Sequence, residues 1–86
     1  MKIAYSPSFI RQYKKLSPEL QEEIKEKIEM FINDPDHPHL KMHKLKGRLQ
    51  ECLAFRLIHG YRVLFEFASS DTVNLLDVGP HDIYRR

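Results

Sequence analysis

The chain has a single cysteine, Cys52, among its 86 residues. It cannot form an internal disulfide, so the fold must rest on packing, and the composition suits a reducing cytoplasm. A lone thiol placed in mid-strand reads as a packing residue before it reads as a nucleophile. No apolar run approaches the roughly 20 residues of a membrane span, and no signal-peptide pattern opens the chain. Neither a membrane nor export is expected. His37, His39 and His43 lie close in sequence, but no cysteine lies near them. The proline-rich stretch that carries the first two is a poor frame for a fixed ligand set, so neither metal nor cofactor is expected. A strong charge of one sign is also missing, since the net charge is only +2.

What is present describes a folded chain. Hydrophobic residues make up 42% and charged residues 30%, the balance of an ordinary globular domain. Eighty-six residues allow one domain with a small core, taken here as residues 1–86. The modest net charge is unevenly spread. Residues 1–40 hold six Lys/Arg against seven Asp/Glu, a net −1, whereas residues 41–86 hold eight against five, a net +3. Lys41, Lys44, Lys46, Arg48, Arg56 and Arg62 are interrupted by one acid, Glu51. Such a local basic field suits a phosphate-bearing partner, although solvated basic surfaces are common.

The first residues, Met1 to Tyr5, predict a short strand. Ser6-Pro7 and Ser17-Pro18 each place an N-cap before a proline at the first helical position. Phe9, Ile10, Tyr13 and Leu16 predict a helix over 7–16. Leu20, Ile24, Ile28, Phe31 and Ile32 draw an apolar stripe along a second helix from Pro18 to Asn33, with Glu19, Glu22 and Glu23 favouring its N-terminal dipole. Asn33 to His39 carries turn chemistry. Residues 40–49 form a basic segment in which Gly47 allows a sharp bend.

Residues 51–67, ECLAFRLIHGYRVLFEF, predict a β-hairpin, and its register can be argued. A two-residue loop would put Arg62 among Leu53, Phe55 and Leu57, burying a charge in the core. A three-residue loop, Ile58 to Gly60 with Gly60 left-handed, pairs Leu57 with Tyr61 and Arg56 with Arg62. Leu53, Phe55, Leu57, Tyr61, Val63, Phe65 and Phe67 then share a core face. Cys52, Ala54, Arg56, Arg62, Leu64 and Glu66 share an open one. Two arginines directly opposite cost stability. Either Glu66 and Glu51 offset them as surface ion pairs, or they await an anion. After a turn at Ser69–Asp71, Val73 to Gly79 reads as a mostly buried last strand with Asp77 as its odd member. The expected fold is α+β, ordered β-α-α-β-β-β. A two-helix hairpin packs on one face of a curved, mainly antiparallel sheet.

That order, with HKLKGRL, FRLIHGYRVLFEF and VNLLDVGPHDIYRR, resembles the RelE/ParE superfamily of bacterial toxins over essentially the whole chain. The resemblance rests on Lys44-Leu45-Lys46-Gly47, on Tyr61-Arg62, and on His81 and Tyr84 after the glycine of the last strand. It implies the toxin of a type II toxin–antitoxin pair, with a small acidic-tailed antitoxin as partner. RelE-like members enter the 70S ribosome and cut mRNA in the decoding site, whereas ParE-like members poison DNA gyrase. A third possibility is an inactive member that only binds its antitoxin. Under the nuclease reading, Arg62 and Arg56 match phosphate-binding positions, His81 the general acid and Tyr84 a base-stacking ring. His43 is a candidate general base, and Lys41, Lys44, Lys46 and Arg48 are candidates for RNA-backbone contacts. Asp82 could orient His81 or cap the final turn. Competing roles remain for three residues: Tyr84 could pack the chain end, His43 could be an incidental loop residue, and His59 reads as a turn filler. The chain departs from some members at Leu53, Ala54 and Phe55, where they carry lysines. Cleavage would then rely on His and Arg more than on Lys.

Overall fold

A computed structural model of the chain describes residues 2–34, 43–44 and 53–80, the middle pair in its backbone only. The elements are β1 (Lys2–Tyr5), α1 (Pro7–Tyr13), α2 (Pro18–Asn33), β2 (His43–Lys44), β3 (Leu53–Arg56), β4 (Tyr61–Ser69) and β5 (Thr72–Pro80). The strands form one sheet in the order β1-β5-β4-β3-β2. β1 runs parallel to β5, and the other pairings are antiparallel. The α+β architecture is the one expected, with β2 added as a two-residue pairing that a basic segment does not advertise.

Both serines cap as their sequence demands. The Ser6 hydroxyl accepts the Phe9 N–H at 3.0 Å, and the Ser17 hydroxyl accepts the Leu20 N–H at 3.4 Å. Helix α2 has its expected bounds, but α1 stops at Tyr13 rather than residue 16. The chain tightens there: the N–H groups of Lys15 and Leu16 donate to the carbonyls three residues back, Gln12 and Tyr13. Ser17 needs extended backbone to cap the next helix, so α1 cannot run on into it.

The core lies between the helices and one sheet face. Phe9, Leu20, Ile24 and Phe31 pack against Phe55, Leu57, Val63, Phe65, Val73, Leu75 and Val78. Phe31 is its aromatic centre, with its ring 5.2 Å from Phe65 in an edge-on contact and 6.3 Å from Phe55. Ile10, Ile32 and Phe67 belong to the expected apolar faces, yet each is 41–47% exposed.

The hairpin has the expected register, with Arg56 opposite Arg62 and Leu53 opposite Phe65. Its turn is one 3₁₀ turn, Ile58–Gly60. His59 (φ 58°) and Gly60 (φ 75°) are both left-handed, so the turn uses two residues in that region rather than Gly60 alone. Helix α2 holds this turn: Glu23 accepts the Ile58 N–H at 2.8 Å, and His59 lies 3.7 Å from the Glu19 carboxylate. A Cβ added at Gly60 would touch nothing within 4 Å, so its cost is purely conformational. Gly60→Ala should therefore cost about 1–2 kcal/mol. By thermal circular dichroism we expect Tm to fall by at least about 4 °C. An unchanged Tm would contradict the left-handed assignment.

The next turn is closed by Asp71, whose carboxylate accepts the hydroxyls of Ser69 at 2.9 Å and Thr72 at 3.2 Å. These bonds, that of Ser69 first, hold its carboxyl below the ordinary aspartate value.

Candidate functional site

The site is built on the sheet face turned away from the helices. Leu57 donates its N–H to the Tyr61 carbonyl at 2.8 Å. The next pair outward, Arg56 and Arg62, thus falls at a non-hydrogen-bonded position, where facing Cα atoms approach to about 4.5 Å and side chains lie closest. Arg56 is exposed and Arg62 is half-buried. Arg62 is engaged by a partner within the fold, as is Asp77.

The face is not open across its width, as its alternating polar pattern suggested. Next to the arginine pair runs a buried row: Ala54 opposite Leu64, and Leu64 opposite Asp77. Their residual exposures are 0%, 7% and 8%. Burying an apolar pair such as Ala54 and Leu64 recovers transfer free energy that an open face would forfeit. The arginines therefore border a covered apolar patch.

Asp77 reaches this face through a bulge. Phe65 pairs with Leu75 but Leu64 pairs with Asp77, leaving Leu76 as the extra residue on β5. Strict alternation after Val73 and Leu75 would have pointed Asp77 into the core. The bulge instead gives the core position to Val78, opposite Val63, and turns Asp77 over. The bulged backbone is secured from the other end of the chain. The Ser6 hydroxyl donates to the Leu76 carbonyl at 2.7 Å, and the Ser6 N–H donates to the Leu75 carbonyl at 3.0 Å. Asp77 accepts the Val78 N–H at 2.9 Å. It is the buried charged side chain among the described residues. Sequence reasoning passed over it as a site residue, and its one signal was the broken alternation of VNLLDVG.

Glu66 is poorly placed to neutralise the arginines. It lies four residues along β4 from Arg62, about 13 Å of strand. Its carboxylate instead accepts from Asn74 at 3.5 Å. His43 stands opposite Ala54, so by register it belongs to the row that ends at Asp77, while Lys44 stands opposite Leu53. The remaining sequence candidates, His81, Tyr84, Lys41, Lys46 and Arg48, lie outside the described residues, as do Cys52, Glu51 and Asp82. So do His37 and His39; among the described residues no group of three His, Cys, Asp or Glu could hold a metal ion. No helix among the described residues is long and apolar enough to cross a membrane.

On the helix side, a groove of about 360 Å³ runs between α1, α2 and β1. Tyr5, Phe9, Ile10, Tyr13, Ile24 and Ile28 line it, with Lys14 and Lys25 beside them.

No protein-family model and no curated protein matches the sequence. Solved structures match closely in shape. A YoeB/ParE toxin from Agrobacterium tumefaciens superposes with a TM-score of 0.79 at 18% identity, over 94% of this chain and 99% of that one. A chain of the YoeB–YefM complex from Staphylococcus aureus gives 0.78 at 19% identity, over 94% and 97%. A chain of the intact E. coli RelBE toxin–antitoxin complex gives 0.72 at 21% identity, over 92% and 94%. The order of elements, the sheet and these superpositions agree: the fold of this chain is that of the RelE/ParE toxin superfamily.

Proposed function

We propose that this protein is the toxin of a type II toxin–antitoxin pair and an endoribonuclease that cuts mRNA in the decoding site of the ribosome. The observation that carries the reading is the close cross-strand pair Arg56–Arg62 on the face away from the helices. Two guanidiniums side by side concentrate positive charge on this face, and their planar forks match the oxygens of one phosphate.

RNA supplies its own nucleophile, so the protein needs to position groups and manage protons. A base removes the proton of the 2′-OH, and O2′ attacks phosphorus. The P–O5′ bond breaks, and an acid protonates the departing O5′. The products are a 2′,3′-cyclic phosphate and a 5′-hydroxyl. Arg62 and Arg56 stabilise the charge that gathers on the phosphorane oxygens. His81, which follows β5 directly, is the general acid, since imidazole titrates near neutrality. Tyr84 stacks on a base of the message. His43 is the candidate base, a role supported by its register in the row next to the arginines. Lys41, Lys44, Lys46 and Arg48 contact the RNA backbone.

Two of the similar structures are complexes with antitoxins, YefM and RelB. We assign the same kind of partner to this chain. The apolar groove between α1 and α2 suits an amphipathic helix, and Lys14 and Lys25 suit its acids. The groove and the arginines occupy opposite faces, so the antitoxin must wrap around the sheet to cover both.

Primer extension on a defined message, with and without programmed ribosomes, tests the nuclease reading. Cuts confined to the decoding site are expected only when ribosomes are present. An intact message in both reactions would direct attention to DNA gyrase, to be read by a supercoiling assay, or to a protein that only binds its antitoxin. His81→Gln should slow single-turnover cleavage by about 10²–10⁴-fold. An unchanged rate would remove His81 from proton transfer.

A further inference from the structure

The hairpin tip combines two patterns that disagree in register. The chain reverses at His59 and Gly60, both left-handed, and the Tyr61 N–H donates to the Ile58 carbonyl. Those are the marks of a two-residue loop, in which Ile58 and Tyr61 would form the closing pair. A closing pair exchanges both of its backbone bonds, so the Ile58 N–H would donate to the Tyr61 carbonyl. The Tyr61 carbonyl instead accepts the Leu57 N–H at 2.8 Å, and the ladder continues with Arg56 opposite Arg62. Ile58 is thus an extra residue between the loop and the ladder.

An extra residue leaves a backbone donor outside the ladder, and a donor withdrawn from water needs an acceptor. Ile58 packs against the core, and Leu57 before it provides no side-chain cap. The acceptor comes from helix α2. Glu23 takes the Ile58 N–H at 2.8 Å from 35 residues away in sequence. Glu23 is half-buried, which strengthens such a bond relative to one in open water. The approach of His59 to Glu19 is a weaker tie, since it spans 3.7 Å between side chains 66% and 70% exposed.

We propose that Glu23 is a positioning residue for the arginine pair. It captures the N–H that would otherwise compete with Leu57 for the Tyr61 carbonyl, and so it fixes the rung next to Arg56 and Arg62. In the competing register Arg56 would face Val63 and Leu57 would face Arg62, leaving the two arginines on opposite faces. Burial of a charge bars that slip along the whole hairpin, so the contest is confined to its tip. A carboxylate on the helix side thereby holds the geometry of the other side. Its consequence for cleavage rests on the nuclease reading above, whereas the clamp itself does not.

Amide hydrogen exchange, read by nuclear magnetic resonance on the free protein, tests the clamp without RNA. In the wild type the Ile58 and Leu57 amides should both exchange slowly. Glu23→Ala should speed both by at least about tenfold, as loss of a bond to a charged acceptor does, and leave Val63 and Phe65 unchanged. The contact between the Hα protons of Arg56 and Arg62, expected of a close non-hydrogen-bonded pair, should weaken with them. Unaltered Ile58 exchange would overturn the clamp, and a faster Ile58 beside an unaltered Leu57 would overturn the positioning role. Glu23→Gln keeps a neutral oxygen acceptor and should fall between wild type and Glu23→Ala. It also serves alone if Glu23→Ala fails to fold, and wild-type rates at both amides would then overturn the proposal. If cleavage is observed, Glu23→Ala should lower it by roughly 10–100-fold, as misplacement of a reacting group does, with partial rescue by Glu23→Gln. Full cleavage by folded Glu23→Ala would overturn the positioning role. Protected Ile58 and Leu57 amides in a wild type that cuts no message would sink the nuclease reading and leave the clamp intact.

Discussion

Arg62→Ala should lower ribosome-dependent cleavage by about 10²–10³-fold, the loss that follows removal of one preorganised donor from a transition state. The size follows from placement. Arg62 is half-buried on the middle strand of the sheet, directly opposite Arg56. Under the proposed nuclease reading, a guanidinium there would stabilise charge as it forms on the phosphorane oxygens. Arg62→Lys should recover only part of the rate, because an ammonium cannot present two parallel N–H groups. Arg56→Ala should cost less than Arg62→Ala, since an exposed side chain must be ordered before it helps. Single-turnover primer extension on programmed ribosomes measures all three. Full cleavage by a folded Arg62→Ala protein would exclude this residue from the mechanism.

The largest effect on stability is expected at Phe31. Its side chain is 2% exposed and joins α2 to three strand phenylalanines, Phe55, Phe65 and Phe67. Phe31→Ala removes that ring from the middle of a small core and leaves a void that neighbouring rings cannot fill. Such substitutions cost about 3–5 kcal/mol. A domain of this size has a total stability of about 5–15 kcal/mol and tends to the low end of that range. The variant should lose more than about 10 °C in Tm, and part of it should be unfolded at physiological temperature. Urea unfolding followed by circular dichroism provides the measurement. A loss below about 1 kcal/mol would mean that the core repacks freely around α2, contrary to the close-packed aromatic cluster.

Much of this architecture could be read from the residues. The hairpin register was legible because a one-position slip buries an arginine, a penalty that no local preference outweighs. Both helix starts were legible because Ser-Pro performs a capping function that does not depend on tertiary contacts. The arginine pair followed from the register. The bulge did not. VNLLDVG is apolar on most of its length, so a buried strand and a bulged one read alike, and only Asp77 out of phase betrays the extra residue. Strand β2 is two residues long and owes its pairing to β3 rather than to any pattern of its own. Burial of Ala54 and Leu64 was equally hidden, since alternation assigns residues to faces without saying whether a face is covered. The roles of His81 and Tyr84 stand on resemblance and await the cleavage assays.

The latch between Ser6 and Leu76 also bears on when the protein can act. It joins residues 70 positions apart, and β1 has β5 as its neighbour in the sheet. On a translating ribosome, the first strand therefore waits for the last. At 5–20 residues per second, that delay is roughly 4–14 s. Until β5 emerges, the bulge cannot be fastened and Asp77 cannot be turned toward the arginines. A nascent chain thus carries the pieces of this face without the means to assemble them, and under the proposed nuclease reading its activity would be deferred until synthesis has passed β5.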